Sequence, residues 1–83
     1  MEPEEIKLLI ETGIPGSLVE VEGDGTHFAA RIVSEQFAGK SLIQQHRIVY
    51  QALGARMGTT IHALSMQTFT PEQWTRKQAQ RID

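Results

Sequence analysis

Residues 27–53 read HFAARIVSEQFAGKSLIQQHRIVYQAL, and a change of period inside that stretch decides the fold. From His27 to Ser34, Phe28, Ala30 and Ile32 alternate with His27, Ala29, Arg31 and Val33, the two-residue period of a strand with one buried face. After Gly39 and Lys40 the period lengthens. Ser41 followed three residues later by Gln44 is a capping-box pattern, and it opens a helix running to about Leu53 or Gly54. Leu42, Val49 and Leu53 share one stripe of that helix, Ile43 and Tyr50 flank it, and His46 falls on the stripe or its margin. Arg47 lies about 100° further round, towards solvent.

Upstream, Leu18–Glu22 is a second short strand, and EGDGT supplies a Gly-rich turn that joins it to His27 as a hairpin. Before it, Pro3, a first turn of acids and Ile6, Leu9 and Ile10 at helical spacing describe a helix over residues 3–12, with Gly13 as its stop. Downstream, IHALSMQT (residues 61–68) alternates as a third strand: Ile61, Ala63 and Ser65 face one way, His62, Leu64, Met66 and Thr68 the other. In TPEQW, Thr70 is an N-cap, Pro71 the first helical residue and Gln73 the capping-box partner. Trp74 anchors that last helix on the core, and residues 77–83 read as a frayed basic tail. The order helix, strand, strand, helix, strand, helix predicts an α+β domain: a three-stranded mixed sheet with helices packed on one side. No repeat or linker divides the chain, so residues 1–83 read as one domain.

Composition narrows the function classes. The chain has 83 residues, 40% hydrophobic and 22% charged, which suits one small core and excludes an enclosed substrate cavity. No apolar run approaches the roughly 20 residues that span a bilayer, and the N-terminus is acidic where a secretory signal is basic, so a cytoplasmic protein with no membrane partner is expected. With no cysteine the chain has neither a disulfide nor a thiolate nucleophile, and any metal ligand must be His or carboxylate. Charge is uneven: residues 1–35 hold Lys7 and Arg31 against eight acids, a balance of −6, and residues 36–83 hold six bases against two acids, a balance of +4. The basic half either faces phosphates or forms an ordinary solvated surface.

No nucleophile stands at recognisable spacing from a base, and no P-loop, GxSxG or HExxH motif occurs, so an enzyme is not expected. The three histidines match no local zinc pattern. His27 and His62 approach each other only if the corresponding ends of their strands lie together, and two imidazoles would still leave a metal site for a partner to complete. His46 reads first as a half-buried histidine with a structural or supporting hydrogen bond. In GKS, Gly39, Lys40 and Ser41 offer close backbone approach, a positive charge and helix N-terminal N–H groups to a phosphate, and the same residues also make an ordinary helix start.

The segments IVSEQFAGKS, QHRIVY and HALSMQTFTPEQW, in that order, resemble the BolA family, and within it the IbaG (YrbA) branch, over residues 4–76. The resemblance implies a KH-like α+β fold of the class II type, without the GxxG loop of true KH domains. It implies an adaptor that pairs with a monothiol glutaredoxin and shares a [2Fe–2S] cluster with the glutaredoxin cysteine and glutathione, in iron–sulfur trafficking or in sensing iron, redox or acid stress; the isolated chain is expected to hold no cofactor. By motif, His62 in IHAL and His27 in THF match the family's ligands, and His46 matches a histidine of supporting role. The family also includes transcription regulators that bind DNA, which here implies a face of Lys40, Ser41, Arg47 and Arg56. At Gln45 the family usually has arginine, and its replacement is expected to remove one charge from that face. A homodimer stays open at this point.

Overall fold

The computed structural model describes residues 2–56 and 63–79. Along the chain come α1 (Pro3–Gly13), β1 (Leu18–Gly23), β2 (His27–Val33), a 3-10 turn (Glu35–Phe37), α2 (Leu42–Leu53), a second 3-10 turn (Gly54–Arg56), β3 (Ala63–Phe69) and α3 (Pro71–Ala79). The sheet order is β1-β2-β3, with β1 antiparallel to β2 and β3 parallel to it. A tight hairpin gives the first pairing, and the long return through α2 permits the second. The expected mixed sheet is therefore present, and β2 is its centre. Of the third strand, residues 61 and 62 lie outside the described residues.

Alternation sorts the sheet into two faces. Val19, Phe28, Ala30 and Ile32 are buried with Ile6, Ile10 and Ile14 from α1 and its end, Phe37, and Val49 and Leu53 of α2. Each of these side chains larger than alanine contributes roughly 1.5–3 kcal/mol of burial, so this single layer between helices and sheet carries most of the fold. The other face carries Glu20, Glu22, His27, Ala29, Arg31, Ser65 and Gln67, in the register Glu20↔Arg31↔Gln67 and Ala29↔Ser65.

Several local expectations shift. Gly13 is the last residue of α1 and does not stop it by a left-handed turn; Gly16 takes the positive φ, 82°. A Cβ on Gly13 would stand 2.5 Å from that of Ala52, so the glycine serves the close contact between α1 and α2. Leu42, assigned to the buried stripe of α2, is 61% exposed, and Gln45 is buried in its stead at 7%. Leu42 is the first residue of the helix, and the core beneath the helix start is filled from the preceding turn by Phe37, which is fully buried.

The Thr70 cap forms as read: its N–H donates to Gln73 Oε1 at 2.9 Å, and its Oγ1 accepts from the Gln73 N–H at 3.2 Å. Trp74 anchors α3, though on the outer end of the sheet and not within the buried cluster. Its ring lies 5.3 Å from Phe69, and the Arg31 guanidinium sits 4.5 Å above it. Arg31 is held in turn by Glu20 at 2.5 Å. α3 buries no residue, so this stack is its principal attachment; it continues as helix to Ala79.

Candidate functional site

The β1–β2 turn fixes the position of His27. One oxygen of Asp24, Oδ1, accepts the N–H groups of Thr26 and His27, both at 2.9 Å, and the Asp24 N–H donates to the His27 carbonyl at 3.2 Å. An aspartate that bonds the backbone two and three residues ahead closes a turn without a helix or a ladder. Gly25, with φ 97°, supplies the left-handed residue. Gly23 lets the strands close, because a Cβ there would stand 2.4 Å from the His27 carbonyl oxygen. The His27 N–H, then that of Thr26, hold the Asp24 carboxyl below the usual carboxylate range. The Gly-rich turn is thus pinned, and His27 starts β2 exposed, on the sheet face away from α1 and α2.

The parallel pairing brings the starts of β2 and β3 together. His27 stands opposite Ala63 in the register, and neighbouring strands run about 4.8 Å apart. Ala63 follows His62 in the sequence; His62 itself lies outside the described residues. His46, on α2, is half-buried, and its Nε2 is buried with no hydrogen-bond partner among the described residues. Among the described residues no group of three or more His, Cys, Asp or Glu side chains could hold a metal ion.

The basic candidates lie at α2. Ser41 is the N-cap: its Oγ accepts the Gln44 N–H at 3.2 Å and its N–H donates to Gln44 Oε1 at 2.8 Å. The Lys40 N–H donates to the Phe37 carbonyl at 3.2 Å, so the backbone donors of both residues are committed to the turn and cap. Lys40 and Arg47 are exposed and line a shallow depression of about 240 Å³ with Gln44, Ile48 and Gln51. Arg56 is exposed in the second 3-10 turn.

Gln45 is not part of this surface, which corrects the expectation that it subtracts a charge from it. Its Nε2 donates to the carbonyls of Lys40, at 2.9 Å, and Phe37, at 3.3 Å, while its Oε1 accepts the Thr68 hydroxyl at 2.6 Å. Gln45 therefore ties the segment before α2 to β3. Its partners lie 5, 8 and 23 residues away, too far for a local pattern to show them. Asp24 had a local signal, an Asp-Gly pair with Thr two residues on, that points to this kind of side-chain turn.

The sequence profile of the family described as BolA-like protein matches residues 7–73. The chain belongs to the BolA-like protein family. It is 42% identical to human BolA-like protein 1 over 74 residues, 89% of this chain and 52% of that protein. Over 73 residues it is 34% identical to the DNA-binding transcriptional regulator BolA of Vibrio cholerae, covering 88% of this chain and 66% of the regulator. The chain thus spans about half to two thirds of the length of these relatives. In three dimensions it is similar to a bolA protein homologue from Coxiella burnetii, with a TM-score of 0.85 and 44% identity over 92% of this chain and 99% of that one.

Proposed function

We propose that this BolA-like chain is a non-enzymatic adaptor that binds a monothiol glutaredoxin and shares a [2Fe–2S] cluster with it, His62 and His27 being its ligands. The carrying observation is the register that sets His27 opposite Ala63, at the start of the strand that follows His62. The donor chemistry fits a shared site: with no cysteine the chain brings imidazole nitrogen to iron, and the glutaredoxin cysteine and glutathione supply the thiolates. An exposed His27 on a pinned turn leaves the outer side of the site open to a partner. The motifs FAGKS and QHRIVY support a place in the IbaG (YrbA) branch, and the element order supports a KH-like fold of the class II type. No helix among the described residues is long and apolar enough to cross a membrane, which accords with a cytoplasmic role in iron–sulfur trafficking or in sensing iron, redox or acid stress.

Co-expression with a monothiol glutaredoxin tests this directly. A coloured one-to-one complex, whose native mass includes two iron and two sulfide ions, is the expected product; purification of the two chains apart, with and without cluster, refutes the reading.

A second reading is that of a DNA-binding regulator, favoured by the relative of that description from Vibrio cholerae and by the exposed Lys40 and Arg47 at α2. With Ser41 and Arg56 completing the face and three or four phosphate contacts, log affinity should fall against log salt with a slope of about −3 to −4. Gel-shift titrations that show no complex at low salt, or an affinity unchanged in Lys40→Ala/Arg47→Ala, exclude this face.

A further inference from the structure

One end of the outer sheet face is apolar and only partly covered. Leu18, Val33 and Phe69 stand in one row across the three strands, in the register Leu18↔Val33↔Phe69. α3 covers the β2 and β3 side of that row through Trp74, which packs on Phe69. Val33 is buried, whereas Leu18, on β1, is 66% exposed. Leu18, Val33, Pro15, Pro71 and Trp74 line a cleft of about 400 Å³, with Glu35 also in its lining and no Lys or Arg. β1 is an edge strand. Among the described residues its backbone hydrogen bonds run only to β2, so the donors and acceptors of its other edge face outward. Glu20 and Glu22 follow Leu18 along the same face of that edge. Among the described residues neither Glu22 nor Glu35 makes an ion pair, and the nearest base, Arg31, is held by Glu20 and Trp74.

We propose that the β1 edge is a docking site for an extended, basic segment of a partner protein, which adds to the sheet as a further strand and seats one apolar side chain in the cleft. Strand addition draws main-chain hydrogen bonds from the free edge, and contacts to alternate side chains supply the specificity. Side chains on one face of a strand recur every second residue, so the rows of the sheet define the partner. It carries an aliphatic residue beside Leu18 and Lys or Arg two and four residues on, beside Glu20 and Glu22; Glu35 admits a further base on the other side of the cleft. The charges decide among occupants. A phosphate, a nucleic acid or an anionic headgroup would meet three carboxylates and no Lys or Arg in the cleft. β1 of a second copy would set glutamate against glutamate, and like charges directly opposite on paired strands are destabilising. A small apolar amine would fill the cleft and leave the edge unused. The cleft lies at the Val33 end of β2 and His27 starts the other end, about 20 Å away at the rise of a strand, so the proposal stands independently of the cluster reading.

The probe is a capped peptide in which a central isoleucine is flanked on each side by alternating threonine and lysine, so that it reads the same in either direction and fits β1 parallel or antiparallel. It is titrated into the full chain and followed by amide chemical shifts and by the fluorescence of Trp74, the chain's single tryptophan. Shifts should concentrate in residues 18–23, Trp74 emission should change at the same concentrations, and binding should weaken as salt rises. Leu18→Ser should raise the dissociation constant about threefold or more by removing apolar contact. Glu22→Lys/Glu35→Lys should raise it about tenfold or more, since attraction becomes repulsion. The substituted side chains are exposed, and a native far-ultraviolet spectrum checks each variant. The peptide with glutamate in place of lysine should not bind. No shift at millimolar peptide, shifts in the cleft without any along β1, concentration-dependent shifts of β1 in the chain alone, or an affinity indifferent to Glu22→Lys/Glu35→Lys overturns the proposal.

Discussion

Removing the side chain of Gln45 should destabilise the domain far more than removing that of its neighbour Gln44. Gln45→Ala deletes three hydrogen bonds, at 2.6, 2.9 and 3.3 Å, in a site that is 7% exposed. The two shorter bonds contribute about 1 kcal/mol each, and leaving the Thr68 hydroxyl and the Lys40 carbonyl without partners adds roughly 1–2 kcal/mol more, so the expected loss is about 3–4 kcal/mol. For a domain whose total stability is about 4–12 kcal/mol, that is a substantial share. Gln44→Ala breaks only the exposed capping box and should cost about 1 kcal/mol. Urea unfolding of both variants measures the difference as a shift of midpoint at constant slope. Thr68→Val should cost less in the Gln45→Ala background than in the wild type, because its partner is already gone. A Gln45→Ala loss equal to or smaller than that of Gln44→Ala would refute the buried tie between the α2 start and β3.

Gly13→Ala places a methyl group 2.5 Å from the Ala52 Cβ and should lower stability by about 1–3 kcal/mol by thermal unfolding, despite the better helix propensity of alanine. Trp74→Ala removes the ring that Phe69 and Arg31 pack against; it should release α3, seen as rapid amide exchange confined to residues 71–79, with the core amides still protected. Asp24 has its carboxyl held below the usual carboxylate range by the N–H groups of His27 and Thr26, so its charge contributes stability above the ordinary pKa that is lost as pH falls through the lowered one. The stability difference between wild type and Asp24→Asn should therefore shrink as pH drops below about 4; a difference constant from pH 6 to pH 2 contradicts that assignment.

Sequence revealed the parts of this fold that are encoded locally. Ser41 with Gln44 and Thr70 with Gln73 are three apart, and each forms the cap its spacing implies; the alternation of residues 27–33 sorts β2 between the two faces of the sheet as read. What stayed hidden depends on partners distant in sequence. Gln45 sits among polar and charged neighbours and reads as surface, yet its contacts come from Phe37, Lys40 and Thr68. Leu42 carries the right period for burial but stands at the helix end, where periodicity does not report how far the core extends. Trp74 was legible as an anchor, while its seat on Arg31 and Phe69 required the β2–β3 pairing, which no short-range signal carries. At the candidate site, the sequence named His27, and the structure supplied the pinned turn and the strand register around it.

The most direct measurement of the adaptor reading is visible circular dichroism of the complex with a monothiol glutaredoxin, compared across three histidine variants. Replacing a thiolate by imidazole at iron alters the charge and electronic spectrum of a cluster, so the wild-type complex should differ from the glutaredoxin homodimer. His62→Ala should abolish that difference, His27→Ala should weaken or alter it, and His46→Ala should leave it largely intact while lowering fold stability. A folded His46→Ala chain that loses the heteromeric spectrum, together with a His62→Ala chain that keeps it, would contradict the assignment of ligand and supporting histidine.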